Sequence, residues 1–112
     1  MTDVLVLVHR SLHPGAQPPG SVLVPYETVV DAVVALKATT LPAVISTDGL
    51  APEDLPPLAA AIAAHPASCI EVRAAAWDGE SGSPVAAACR GVISGFGTDG
   101  VRRAIELLFS GR

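Results

Sequence analysis

Pro84-Val85-Ala86-Ala87-Ala88-Cys89-Arg90-Gly91-Val92-Ile93-Ser94-Gly95-Phe96-Gly97-Thr98-Asp99 runs from an apolar element into a glycine-rich turn. The residues that follow, Gly100-Val101-Arg102-Arg103-Ala104-Ile105-Glu106-Leu107-Leu108, are spaced as an amphipathic helix. A turn opening straight into a helix aims free backbone N–H groups and the positive end of the helix dipole at one point. A carbonyl oxygen, a thioester oxygen or a phosphate is favoured there. The binding candidates are therefore Gly95, Phe96, Gly97 and Thr98.

Upstream, apolar runs and helical stripes keep alternating. Val4-Leu5-Val6-Leu7-Val8 reads as a strand buried on both faces, central in its sheet or next to the centre. Residues 9–20 are rich in Pro, Gly and polar groups and read as a loop. Val22-Leu23-Val24 gives a short strand, and Pro25 suits the first position of a helix over residues 26–38. Val29, Val30, Val33, Val34 and Leu36 form the apolar stripe of that helix. Ala43-Val44-Ile45-Ser46 is a further strand, and Asp48 or Gly49 turns the chain. Pro52-Glu53-Asp54 starts a helix whose stripe is Leu55, Leu58, Ala59, Ile62 and Ala63 and which ends at His65-Pro66. In Cys69-Ile70-Glu71-Val72-Arg73-Ala74, Glu71 and Arg73 share one side, the pattern of a sheet edge or a half-exposed face. Residues 85–89 are a strand or a short buried helix, and residues 98–109 are the last helix. The sum is a single α/β domain over residues 1–112, with a mostly parallel sheet of about four strands flanked by helices.

Composition narrows the function classes. At 112 residues there is room for one core, and 50% of the residues are apolar. The net charge is −4 and Lys and Arg total seven, too few for the basic stripe that tracks a phosphate backbone, so no nucleic acid is expected. Pro, Asp, Glu or His interrupts every apolar segment well before about 18 residues, so no membrane span is expected. Met1-Thr2-Asp3 carries an acid where a signal peptide carries Lys or Arg, which points to the cytoplasm. Cys69 and Cys89 do not make a disulfide framework and read as small core residues. A core built on Ala, Val and Leu gains from association, so a homo-oligomer or a larger protein subunit is the expected partner.

The glycines do not fit a nucleotide loop. Gly95-Phe96-Gly97-Thr98-Asp99-Gly100 brings its third glycine one residue early for a dinucleotide fingerprint, and no Lys follows as a P-loop requires. His9, His13 and His65 lack metal-ligand spacing, so no metal is expected. Nothing brings a His to a strained Ser. Asp78, Glu80, Ser81 and Ser83 read as a solvated loop beside Trp77.

From Pro84 through Asp99 the chain resembles the P-V-I-A-A-V-N-G-x-x-x-G-G-G-x-E/D signature of the crotonase (enoyl-CoA hydratase/isomerase) superfamily, without a gap. Residues 50–62 and Cys69-Ile70-Glu71-Val72-Arg73 look like that family's helix and central strand. The resemblance spans about residues 50–108. It implies a thioester oxyanion hole in which the N–H of Phe96 is one donor and Asp99 is the acid/base carboxylate. The chain departs from the family in lacking its first oxyanion loop, its second carboxylate and its C-terminal trimerisation helices. Two functions follow. One is a small crotonase-like domain that binds or processes an acyl-CoA thioester, with coenzyme A thioester as ligand and no other cofactor. The other is a non-catalytic α/β assembly or accessory subunit without its own active site.

Overall fold

In the computed structural model, residues 3–11, 20–73, 84–94 and 99–110 are described. The strands are β1 (Val4–His9), β2 (Ser21–Tyr26), β3 (Ala43–Ser46), β4 (Cys69–Arg73) and β5 (Gly91–Ser94). The helices are α1 (Val29–Lys37), α2 (Leu55–Ala64, entered through a 3-10 turn at Pro52–Asp54), α3 (Pro84–Ala88) and α4 (Asp99–Ser110). All four strand pairings are parallel, in the order β2-β1-β3-β4-β5. That is the doubly wound, flavodoxin-like order, in which the chain reverses direction across the sheet between β1 and β3.

Parallel strands buried on both faces need apolar residues at successive positions, and β1 supplies them. Leu5 and Leu7 face α1 and α2 with Ala32, Leu36, Ile45, Leu58 and Ile62. Val4, Val6 and Val8 face α4 with Val44, Ile70, Val72, Val101, Ala104, Ile105 and Leu108. The expected α/β layer is thus present, with β1 inside the sheet and five strands rather than about four among the described residues.

Local chemistry moves several boundaries. Pro25 does not open a helix; it lies in β2 opposite Val8, on an edge strand where a missing N–H donor is tolerated. The helix starts at Val29 because Thr28 caps it. Thr28 Oγ1 accepts the Asp31 N–H at 3.4 Å, and Asp31 Oδ2 accepts the Thr28 N–H at 3.2 Å. Ala32 and Leu36 are the buried side of α1, while Val30 and Val34 point outward at 65% and 62% exposure. The true stripe therefore follows the 29, 32, 33, 36 spacing. Strand β4 is not an edge, since it lies between β3 and β5. The stretch that resembles the crotonase signature folds as the five-residue α3, then β5, then α4. Gly91 to Ser94 forms a strand of its own.

Candidate functional site

Register gathers the polar groups at one corner. His9 pairs with Tyr26 across β1–β2, and Arg73 pairs with Ser94 across β4–β5. Continuing the Leu7–Ile45 pairing by two residues and the Ser46–Val72 pairing by one sets Thr47 beside His9 and Arg73. Tyr26, His9, Thr47 and Arg73 thus form one row on the α1–α2 face, at the C-terminal ends of the strands. Open α/β sheets bind ligands at that end, beside the point where strand order reverses.

Glu71 lies one step below this row and is fully buried. Its Oε2 accepts the Thr47 hydroxyl at 2.6 Å and Arg73 Nε at 2.9 Å. A buried charge persists only when it is paired and hydrogen-bonded. The Arg73 side chain remains 23% exposed, so the pair reaches from the core to the surface. There Arg73 lines an open cleft of about 280 Å³ with Thr47, Asp48, Gly49, Leu50, Pro52 and Leu55. The cleft lies where β3 ends and the chain turns toward α2.

The β1 side of the corner is also specified. The Ser11 N–H donates to His9 Nδ1 at 3.2 Å, and Ser11 Oγ lies 2.7 Å from the same nitrogen. An Nδ1 that accepts an N–H carries no proton, so the neutral ring bears its hydrogen on Nε2. The ring stands edge-on to Tyr26 with centroids 5.5 Å apart. The Tyr26 hydroxyl donates to the Ser46 carbonyl at 2.6 Å. Burial, and then the negative charges of Asp48 and Asp54, push its pKa well above the usual tyrosine range. Gly49 has φ +91°, and a Cβ there would come within 3.1 Å of His9 Cγ. The glycine allows both the turn and the close approach of the imidazole.

The fold has solved counterparts. The type II dehydroquinase from Propionibacterium acnes superposes with a TM-score of 0.78 at 18% identity, covering 96% of this chain and 98% of that one. A 3-dehydroquinate dehydratase-like protein from Bifidobacterium longum matches with a TM-score of 0.66 at 16% identity, covering 96% and 95%. No family model and no curated protein matches the chain.

The chain thus has the type II dehydroquinase fold, and the crotonase resemblance is corrected. The matched stretch is an alanine-rich helix, a strand, a glycine-containing segment and a further helix. A flavodoxin-like sheet makes the same sequence of elements at its last strand, so small residues and glycines align without a shared fold. The acyl-CoA ligand inferred from the resemblance falls with it. Gly95, Phe96, Gly97 and Thr98 lie outside the described residues, as do His13, Trp77, Asp78, Glu80, Ser81 and Ser83. Asp99 is the first residue of α4. His65 sits apart from the corner, its Nε2 donating to the Leu41 carbonyl at 2.6 Å. Among the described residues, no three His, Cys, Asp or Glu side chains cluster to hold a metal, and no helix is long and apolar enough to cross a membrane.

The corner residues His9, Thr47, Gly49, Glu71 and Arg73 were absent from the sequence-derived candidates. The available signal was an acid and a base alternating inside an otherwise apolar strand, Ile70-Glu71-Val72-Arg73, with a Thr-Asp-Gly turn closing the strand before it. Reading β4 as a sheet edge or a half-exposed face explained the charges away.

Proposed function

We propose that this chain is a lyase-type protein acting on a compact hydroxylated carboxylate of the 3-dehydroquinate kind, at the C-terminal corner of its sheet. The observation that carries the reading is Arg73, seated on buried Glu71 and lining the cleft beside Asp48. A guanidinium held at Nε keeps a fixed positive charge at the cleft wall, and the planar guanidinium is a shape that matches a carboxylate. Elimination of water beside a carbonyl then needs a proton acceptor and a proton donor. Asp48 lines the cleft and takes the acceptor role. His9, with its proton on Nε2, donates toward the leaving hydroxyl. The fold likeness over nearly the whole chain supports a ligand of this class, since it is the one named for both neighbours.

Such chemistry moves protons only, so the reading calls for no redox cofactor. Gly95, Phe96, Gly97, Thr98 and Asp99 stand as further candidates for ligand contact in this reading, Asp99 as the first residue of α4. We also read residues 1–112 as one domain that works in the cytoplasm as a homo-oligomer. Its exposed Val22, Leu23, Val30 and Val34 favour association, and equilibrium sedimentation checks it.

The test is direct. Purified protein is mixed with 3-dehydroquinate, binding is followed by calorimetry, and loss of water is followed by the ultraviolet absorbance of the conjugated enone product. Turnover in the wild type, with affinity weakened at least tenfold in Arg73→Ala and only partly restored in Arg73→Lys, supports the reading. Binding without enone formation keeps the site and removes the lyase step. No binding at millimolar ligand overturns both.

A further inference from the structure

Cys69 opens β4 and Cys89 follows α3, and both are free thiols. We propose that Cys69 and Cys89 are a redox modification site, forming an intrachain disulfide with a low-molecular-weight disulfide such as oxidised glutathione as the oxidant. Backbone geometry carries this. The Arg90 N–H donates to the Cys69 carbonyl at 2.8 Å. The Ile70–Gly91 pairing, extended by one residue, sets Arg90 opposite Cys69. Neighbouring strands lie about 4.8 Å apart and consecutive Cα atoms 3.8 Å apart, which places the Cα atoms of Cys69 and Cys89 roughly 6 Å from each other. Disulfides span Cα separations of about 4.4–6.8 Å.

Both side chains also belong to one core cluster. Cys69 is a buried member of the core cluster under α2 and α3, and Cys89 packs against the same cluster. Burial first, and then the charge of Cys69, raise the pKa of Cys89. Cys89 is the more exposed of the pair and reacts first. Its thiolate attacks one sulfur of glutathione disulfide, the S–S bond breaks, and one glutathione leaves and takes up a proton. The Cys69 thiolate then attacks the Cys89 sulfur of the mixed disulfide and expels the second glutathione. Two protein thiols are oxidised and one glutathione disulfide is reduced to two thiols. Burial holds the thiols up, Cys69 at about 11 and Cys89 at about 12, so the exchange is slow at neutral pH and quickens as pH rises. The closed ring runs from Cys69 to Cys89 and contains Glu71 and Arg73, so the bond ties the strand beneath the cleft to the segment after α3.

The experiment treats the full chain with oxidised glutathione at mildly alkaline pH and reads the products by intact mass and by peptide mapping without reduction. The expected wild-type product is lighter by two hydrogens, carries no glutathione, stays one chain long on a non-reducing gel and yields one cross-linked peptide pair. Its Tm rises by roughly 5–10 °C, and dithiothreitol reverses the change. C69S is expected to stop at a glutathione adduct on Cys89, whereas C89S stays unmodified while folded. Stable glutathione adducts on the wild type, a disulfide-linked dimer, or thiols that react only after denaturation would each overturn the pairing. The wild-type mapping decides the question even if either serine variant fails to fold.

Discussion

On the α4 face of the sheet, Val4, Val6, Val8, Val44, Ile70 and Val72 bury against Val101, Ala104, Ile105 and Leu108, with no titratable side chain among them. The α1–α2 face begins in the same way, with Leu5, Leu7, Ala43 and Ile45. It ends differently, in Tyr26, His9, Thr47 and Arg73, with Glu71 sunk below them. One set of strands builds both faces, because side chains alternate with a period of two. Burial alone therefore does not separate framework from site. Ile70 and Glu71 are neighbours, both 0% exposed, and they do unlike work.

Substituting those neighbours is the hardest test of the contrast. Ile70→Ala removes a buried aliphatic side chain from the α4 face and is expected to cost about 3–4 kcal/mol by urea unfolding. Ligand affinity, measured under conditions where the variant is folded, should stay within about twofold. Glu71→Gln keeps the size and removes the charge. A loss of about 2 kcal/mol is expected, because Arg73 loses its charged partner. Calorimetry should show weaker carboxylate binding by tenfold or more, since the guanidinium is no longer fixed. Equal effects on binding from both variants would break the division between the faces.

Alkaline pH attacks the α1–α2 side selectively, for Tyr26, Cys69 and Cys89 all belong there. Unfolded thiols titrate near 9.0, whereas Cys69 in the folded chain titrates at about 11 and Cys89 at about 12. The unfolded chain therefore releases its protons first. The stabilisation is full below pH 9 and is lost as pH rises through 11 and 12. Cys69 alone contributes on the order of 1–2 kcal/mol. Urea midpoints measured in reductant at neutral pH and above pH 10 should fall, and a Cys69→Ala, Cys89→Ala double variant should flatten the slope. A flat wild-type profile would mean that these thiols are not buried in the folded state.

Much of the framework was legible because it follows local rules. The run from Val4 to Val8 announces an interior parallel strand, and Ala43 to Ser46 a second. The alternation of strands and helices gives the α/β layer. Misreadings arose where tertiary context overrides sequence. Pro25 suits a helix start until Thr28 and Asp31 form the cap. Charges at Glu71 and Arg73 signal exposure until Thr47, distant in sequence, supplies the hydrogen bond that makes burial tolerable. The site was less legible for the same reason. Its members come from β1, the turn after β3, and β4, and only the register of a parallel sheet aligns them. The residues around Gly95 stand out in the sequence because they are contiguous, and contiguity is what a sequence displays.

The smallest expected effect lies where the two readings of a glycine meet. Gly49 turns the chain after β3 with φ +91°, a conformation that costs an L-residue about 1 kcal/mol. Gly49→Ala should lower stability by about that amount. The added methyl would also stand 3.1 Å from His9 Cγ, tighter than carbon atoms ordinarily approach, so the imidazole must shift by a few tenths of an ångström. If His9 serves the cleft, this small displacement acts on chemistry more than on folding. The kcat for the enone-forming step should fall severalfold while KM holds, because Arg73 and its seat on Glu71 are untouched. The His9 ring resonances should shift in NMR spectra while those of His65 do not. A variant that loses the expected stability but keeps its full kcat would confine Gly49 to the turn and remove His9 from the proton-transfer role.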